Sequence, residues 1–207
     1  GTGDHDTILA AIAQADPDIL VLPESWSSFR LAVSLLDTLA ASYPHRTYCP
    51  VASGCSVTIL SRLPLDNIRT LDPGMAWPPA VVANVTLAGQ PVTIFGVHLV
   101  FPLARKAQVK SIDILSAALA EVDGPTVMAG DFNAAPWSHA MRDFSRAAGF
   151  RPPPGYRPTW PSGLGYAGLP IDHVIARDTV AVTDIGVLNV DGSDHRPILA
   201  TVTLETD

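Results

Sequence analysis

Thr126-Val-Met-Ala-Gly-Asp-Phe-Asn133 is the stretch of sequence that decides the fold. Its first half, Thr126–Ala129, is a short apolar run of the kind that forms a strand buried on both faces. Gly130-Asp-Phe-Asn133 follows at once and places a carboxylate and an amide where that strand ends. Layered α/β folds assemble their ligand sites at strand ends. The stretch therefore predicts both a central strand and a site beside it.

Helices and strands alternate outward from this strand along the whole chain. A long amphipathic helix is predicted before it, over Leu103–Val122, and Asp123-Gly-Pro125 ends that helix. The other predicted helices are Asp6–Gln14, Ser27–Ser42 and Ser138–Ala148, and the other predicted strands are Asp18–Leu22, Ser56–Ser61, Ala80–Leu87, Val92–Leu99, Ile171–Ala176, Val180–Leu188 and Ile198–Leu204. Because no repeat or linker interrupts this order, residues 1–207 are interpreted as one α/β domain.

The composition limits the classes of function. The 207 residues carry 13 Lys and Arg against 20 Asp and Glu, which gives a net charge of −7. Hydrophobic residues make up 47% of the chain, enough for one sizeable core, and this excludes intrinsic disorder. The acidic balance argues against a broad basic face that grips duplex DNA. It does not exclude a nuclease, since a bound divalent cation can supply positive charge beside a phosphate.

One local basic group stands out in this acidic chain. It consists of Arg105, Lys106 and Lys110, at the start of the long predicted helix. Such a group is as consistent with a solvated helix face as with a phosphate-binding patch.

The two cysteines leave two interpretations open. Cys49 and Cys55 are six positions apart, and Cys55 precedes a predicted strand, so the pair could form a disulfide across a hairpin. They could equally be two small buried thiols. The choice depends on a redox compartment that these residues do not reveal.

Polar and titratable side chains collect where the predicted strands end. The candidates are Glu24, His98, Asp131, Asn133, Asp172, Asp194 and His195. Carboxylates, an amide and histidines together suit a divalent cation that prefers oxygen ligands, with acid–base groups beside it. Taken singly, each has a structural alternative, such as a helix-dipole acid, a core imidazole, an Asx turn or a loop cap. Their joint occurrence is much harder to produce by chance and favours a functional site.

Five motifs containing these residues occur in a fixed order. They are Leu22-Pro-Glu24, Gly96-Val-His98, Gly130-Asp-Phe-Asn133, Ile171-Asp-His173 and Gly192-Ser-Asp-His195. The set resembles the endonuclease/exonuclease/phosphatase superfamily, the DNase I-like proteins that include nucleases, abasic-site endonucleases, neutral sphingomyelinases and inositol-polyphosphate phosphatases. Gly54 with Ile59-Leu-Ser-Arg62 resembles a hairpin of that family, and Pro158-Thr-Trp160 resembles its loop before the Asp172 strand.

The resemblance implies a fold and a role for each candidate. The fold is a four-layer α/β/β/α sandwich of two mostly antiparallel sheets. Glu24 and Asp194 are implied to bind Mg²⁺, with Mn²⁺ as a possible substitute. His195 is implied to be the general base, oriented by Asp172. Asp131 and Asn133 would position the water, the metal and a phosphate oxygen, and His98 would stand beside the phosphate.

The chain also departs from the family pattern. Members begin with a central strand that carries an Asn at the metal and phosphate site, whereas Gly1-Thr-Gly-Asp-His5 resembles the loop after that strand. We therefore expect an N-terminally truncated domain. The sheet gap should lie beside Asp18–Leu22, or be occupied by another chain or a rearranged terminus. Some bacterial members carry N-terminal membrane helices ahead of this domain. That analogy implies membrane anchoring through a preceding region, with the domain outside the cytoplasm and a Cys49–Cys55 disulfide.

Two functions of different classes remain at this stage. The resemblance implies a Mg²⁺-dependent phosphoesterase, more in keeping with a phosphodiester than a monoester, whose substrate is nucleic acid, a phospholipid head group or a small nucleotide. The alternative is a non-catalytic binding module of the same fold. Retention of both His98 and His195 favours the enzyme, because a binding module has no chemical need for all six candidates, the other four being Asp131, Asn133, Asp172 and Asp194. The missing first strand favours the binding module.

Overall fold

The computed structural model describes residues 5–25, 30–47, 56–71, 79–151 and 155–205. In these ranges the helices are α1 (His5–Ala15), α2 (Arg30–Leu39), α3 (Arg105–Ala120) and α4 (His139–Ala147). The strands are β1 (Ile19–Pro23), β2 (His45–Arg46), β3 (Val57–Ser61), β4 (Asp66–Thr70), β5 (Ala80–Leu87), β6 (Gln90–His98), β7 (Thr126–Asp131), β8 (Asp172–Arg177), β9 (Val180–Val187) and β10 (Ile198–Leu204). Two short 3₁₀ helices cover Pro102–Ala104 and Ser162–Ala167. None of the helices in the described ranges has the length and hydropathy needed to cross a membrane.

A five-stranded sheet in the order β4-β5-β6-β7-β8 forms one layer. Its pairs are antiparallel except β6 and β7, which run parallel and are connected by α3. Such a connection needs a crossover, and the amphipathic α3 supplies it by packing on the sheet. The central strands are apolar on both faces because each face of the sheet is covered.

The second β layer consists of two separate pieces. One is the sheet β1-β3-β2 and the other is the antiparallel pair β9-β10. Within the described residues, β1 pairs only with β3, and β10 pairs only with β9. Since β1 packs over β6 and β7 while β10 packs over β8, both pieces cover the same face of the five-stranded sheet. Among the described residues, no strand pairs with the other edge of β1, where the gap is expected.

Three apolar cores separate four layers. Phe95, Leu115, Leu119, Met128 and Phe144 are buried between the five-stranded sheet and the helices α3 and α4. Val57, Ile59, Val81, Ile94 and Val127 are buried between the two β layers. Leu39, Tyr43 and Leu60 lie under α1 and α2. The α/β fold class with two main sheets, expected from the resemblance, is confirmed.

Several predicted boundaries need correction. The strand predicted to start at Val92 starts at Gln90 instead, because the hairpin closes in the two residues Ala88 and Gly89. The polar edge strand β4 was not predicted, since four of its five residues are exposed and it lacks the apolar pattern of a buried strand. The start of the predicted Ser27–Ser42 helix and both cysteines lie outside the described residues.

The gap beside β1 predicts a pattern of amide hydrogen exchange. Alternate backbone N–H groups of β1 point away from β3, whereas β6 has a strand on each side. We expect these alternate amides of Ile19–Pro23 to exchange faster than all the amides of Thr93–Val97, as measured by NMR. Uniform protection of β1, as strong as that of β6, would show that another segment pairs with its second edge.

Candidate active site

The register of the five-stranded sheet places three candidate residues in one row. His98 lies opposite Asp131 across the β6–β7 pair, and Asp131 lies opposite Asp172 across the β7–β8 pair. Opposed residues in neighbouring strands carry their side chains close together. Residues more than thirty positions apart in sequence are therefore neighbours at one end of the sheet.

Gly130 is required by the close approach of β6 to β7 just before this row. Its φ is +137°, a conformation that side chains disfavour, and a Cβ atom there would stand 2.0 Å from the carbonyl oxygen of Val97. Only glycine fits this position without moving the backbone. The glycine of the Gly130-Asp-Phe-Asn133 motif thus serves the geometry that holds Asp131 beside His98.

Asp131 and Asn133 are locked together by local hydrogen bonds. The Asn133 backbone N–H donates to Asp131 Oδ1 at 2.7 Å, and its side-chain Nδ2 donates to Asp131 Oδ2 at 3.0 Å and to the Leu99 carbonyl at 2.9 Å. This is the Asx turn considered as a structural alternative. It also fixes the Asp131 carboxylate and leaves the amide oxygen of Asn133 to accept a bond from water or substrate.

His195 and Asp172 form the expected hydrogen bond, with 2.9 Å between His195 Nδ1 and Asp172 Oδ2. With the nitrogen as donor, the bond fixes the ring tautomer and leaves Nε2 as the remaining basic atom. Asp172 comes from the start of β8, whereas His195 comes from the loop before β10. The dyad therefore joins the two β layers.

The segment Pro158–Trp160 holds both members of the dyad in place. The fully buried hydroxyl of Thr159 accepts the backbone N–H of Asp172 at 3.2 Å. The Thr159 carbonyl accepts the backbone N–H of Arg196 at 2.8 Å, beside His195. The Trp160 ring lies 6.5 Å from the imidazole of His195, between ring centres. The motif resemblance singled out this loop but assigned Thr159 no role.

His98 faces the dyad from β6. Its Nδ1 lies 2.7 Å from the hydroxyl of Ser56, and its Nε2 lies 3.8 Å from Asp131 Oδ2. Ser56, which sequence reasoning missed, carries no distinctive motif and is recognised only by this contact. Burial lowers the pKa of His98, and the negative charge of Glu24 offsets only part of this effect.

Burial and neighbouring carboxylates together set the electrostatics of the site. Burial, and next the charge of Asp172, raise the pKa of Asp131 to about 7, although the N–H of Asn133 opposes this. Burial opposes protonation of His195, but the hydrogen bond and charge of Asp172, with the charges of Asp131 and Asp194, raise the pKa of His195 to about 9. Negative charge is thus in excess at this end of the sheet.

Glu24 and Asp194, the two carboxylates expected to bind metal, flank the row from the second β layer. Glu24 follows β1, and its charge raises the pKa of both His98 and Asp131. The backbone of Glu24 is left-handed, with φ +56°, which turns the chain sharply at the end of β1. Asp194 adjoins His195, and its charge raises the pKa of that imidazole.

Among the described residues, one group of three metal-capable side chains is close enough to share a cation, and it includes neither Glu24 nor Asp194. Single ligand atoms from Asp131, Asp172 and His195 lie within 4.8 Å of one another. Two of the three residues already bond to each other, and protonated His195 cannot act as a ligand. We therefore regard Asp131 as the member that is open to a cation and the other two as the dyad. The metal roles of Glu24, Asp131, Asn133 and Asp194 stay predictions.

Comparison with known proteins supplies the family. The sequence model of the endonuclease/exonuclease/phosphatase family matches residues 2–195. The chain belongs to this family. All five motifs quoted above fall inside the matched region.

Individual relatives agree with the family assignment. A UPF0294 protein of Vibrio parahaemolyticus is 27% identical over 203 residues, which cover 92% of this chain and 69% of that protein. The structure of an endonuclease/exonuclease/phosphatase from Beutenbergia cavernae is similar, with a TM-score of 0.74 and 23% identity over 98% of this chain and 66% of that one. The structure of the 3′ phosphatase NExo from Neisseria, bound to a product DNA hairpin, is also similar. Its TM-score is 0.72 and its sequence identity is 21%, over 95% of this chain and 93% of that one. At these identities, the structural matches establish the fold.

Replacement of Gly130 tests the close approach of β6 to β7. Gly130→Ala should lower the free energy of unfolding by about 3 kcal/mol, because a strained φ and an overlapping Cβ act together. Gly186→Ala is the matched control, since a Cβ there meets no atom within 4 Å. Urea denaturation measures both variants. Equal stability of the two would contradict the packing argument.

The pKa of His195 can be followed by NMR in the metal-free protein. The imidazole should titrate near pH 9, and Asp172→Asn should lower that pKa, whereas exposed Asp184→Asn should leave it unchanged. Because the folded pKa lies above the ordinary value near 6.5, the stabilisation from this proton is complete below pH 6.5 and is lost as the pH rises through 9. An unshifted pKa of His195 in Asp172→Asn would exclude Asp172 as the cause.

Proposed function

We propose that the protein is a metal-dependent phosphoesterase that hydrolyses a phosphodiester by attack of water. The observation that carries this proposal is the His195–Asp172 pair, hydrogen-bonded at 2.9 Å, with a buried Asp131 carboxylate beside it. A base with a fixed tautomer and a carboxylate within a few ångströms is the arrangement that water activation needs. Membership of a family described as endonucleases, exonucleases and phosphatases supports this reaction class.

Each residue of the site has a separate role in the proposed reaction. His195 accepts the proton of the attacking water at Nε2, while Asp172 holds Nδ1 and stabilises the imidazolium that results. Asn133 offers its amide oxygen to that water, since both of its amide protons bond within the protein. His98, oriented by Ser56, stands beside the phosphate and stabilises the charge that develops there.

The donor set fits a hard divalent cation. Glu24, Asp131 and Asp194 supply carboxylate oxygens and Asn133 an amide oxygen, which are the ligands that Mg²⁺ and Mn²⁺ take in proteins. The raised pKa of Asp131 shows a buried carboxylate whose charge is not compensated. When bound, such a cation supplies positive charge to the phosphoryl oxygens and favours the neutral, basic form of His195.

The substrate is a phosphodiester in this proposal, and intact duplex DNA is disfavoured. The net charge of −7 supplies no broad basic face for a duplex. NExo, which has the same fold, is a 3′ phosphatase seen with a DNA hairpin product, and this supports phosphoester chemistry at such a site. The matched relatives from Vibrio and Beutenbergia extend beyond the aligned regions, so substrate choice in the whole protein is part of the proposal.

Hydrolysis of a chromogenic phosphodiester tests the reaction and its base. Turnover should require Mg²⁺ or Mn²⁺ and stop with a chelator, and His195→Ala should lower kcat about 10²-fold or more, the usual worth of a general base. His139→Ala is the matched control, because His139 is exposed on α4. Equal turnover of the two variants would remove His195 from the mechanism. A folded protein with no turnover in either metal would favour the binding module.

A further inference from the structure

Four large apolar side chains are exposed on two loops beside the candidate active site. Phe101 and Leu103 follow β6, whereas Leu164 and Tyr166 belong to the 3₁₀ helix before β8, and the four are termed the apolar rim. Their exposed fractions are 45%, 90%, 57% and 83%. Contiguous exposed apolar surface marks interaction sites, whereas single exposed residues need no explanation. The four residues therefore indicate an interaction site only if they lie on one surface.

Contacts through Trp160 and the loop around His195 join the two loops at the mouth of the site. The Phe101 ring meets the Trp160 ring edge-on at 6.5 Å, and Trp160 contacts the imidazole of His195. On the other loop, Tyr166 packs on the guanidinium of Arg196, 5.6 Å away. The Ser162 hydroxyl donates to the carbonyl of Ser193 at 2.6 Å. Phe101 on one loop, through Trp160, and Tyr166 on the other, through Arg196, thus lie near the imidazole of His195.

The two stretches of sequence that supply the apolar rim differ in charge from the rest of the chain. No Asp or Glu occurs in residues 73–112 or in residues 144–171, the two stretches that supply the rim. The first stretch also carries Arg105 and Lys106, both exposed and directly after Leu103. Of the ten large hydrophobic residues that are exposed among the described ones, seven lie in these two stretches. Exposed apolar and basic groups are therefore concentrated together, in a protein of net charge −7.

We propose that the apolar rim docks on an anionic phospholipid surface and that the substrate is a phosphodiester in a membrane lipid head group. The proposal rests on the phosphoesterase function and names its substrate class. Apolar side chains enter the boundary between head groups and acyl chains, with aromatic rings at head-group depth. Arg and Lys beside them are attracted by anionic head groups. Docking in this orientation brings head-group phosphates to the mouth where His195 stands.

Hydrolysis of a soluble phosphodiester would not require an exposed apolar surface beside the site. The apolar rim stands outside the row of His98, Asp131 and Asp172, and its most exposed members contribute little to the cores. A second copy of the chain would carry the same Arg105 and Lys106, and like charges would then face each other across a symmetric contact. An anionic lipid surface complements both the apolar and the basic groups.

Cosedimentation with lipid vesicles tests docking without relying on catalysis. The vesicles are of phosphatidylcholine alone or of phosphatidylcholine mixed with phosphatidylglycerol. The protein should bind the mixed vesicles more tightly, and Leu103→Glu or Tyr166→Ser should weaken that binding about tenfold or more, the worth of burying one such side chain. Ile68→Glu is the matched control, because Ile68 is 45% exposed on β4, away from the rim. Arg105→Glu should abolish the preference for the anionic vesicles.

Activity assays separate failure of docking from failure of the phosphoesterase function. Leu103→Glu should hydrolyse the soluble chromogenic phosphodiester at the normal rate and lose only hydrolysis of phospholipid in vesicles. Normal soluble turnover with no binding to either vesicle would overturn the docking proposal alone. A dimer that Leu103→Glu dissociates, together with absent vesicle binding, would overturn it in favour of self-association. Vesicle binding equal in Leu103→Glu and Ile68→Glu would also overturn it.

Discussion

The parallel contact between β6 and β7 is the constraint on which the rest of the site depends. At Gly130 the strands approach so closely that a single added carbon would strike the carbonyl of Val97. The β6–β7 register sets His98 beside Asp131, and the β7–β8 register sets Asp172 on the other side of Asp131. Every further element, from the Asx turn of Asn133 to the loop that carries His195, attaches to that row.

The sequence predicts the buried part of this fold well, because buried strands carry unbroken apolar runs. It also selects Asp131 and His195 as candidates from their motifs, and the fold brings the two side chains within 4.8 Å of each other. What it cannot reveal follows from long-range geometry. β4 is polar and exposed along most of its length, so only its pairing with β5 makes it a strand. Ser56 becomes informative only when the fold brings its hydroxyl to His98 from forty-two positions away.

The site is assembled at a cost to stability. Asp131 is almost fully buried beside another carboxylate, and its raised pKa measures how strongly the surroundings disfavour its charge. An apolar residue would pack there more favourably, as is common where function requires a strained or uncompensated group. A bound cation would therefore act on the same excess of negative charge that protons do. The protonated imidazole of His195 relieves part of it in the absence of metal.

The two-piece second layer has a mechanical consequence. Glu24 follows β1, whereas Asp194 and His195 precede β10. The two halves of the site therefore belong to different pieces of the second layer, and no backbone ladder among the described residues joins these pieces. Each piece is positioned by side-chain packing on the five-stranded sheet, which resists sliding less strictly than a backbone ladder does. Among the described residues, the spacing between Glu24 and Asp194 is therefore set by side-chain contacts and not by a backbone ladder. Any strand that adds to the second edge of β1 would stiffen that spacing without touching the candidate site residues.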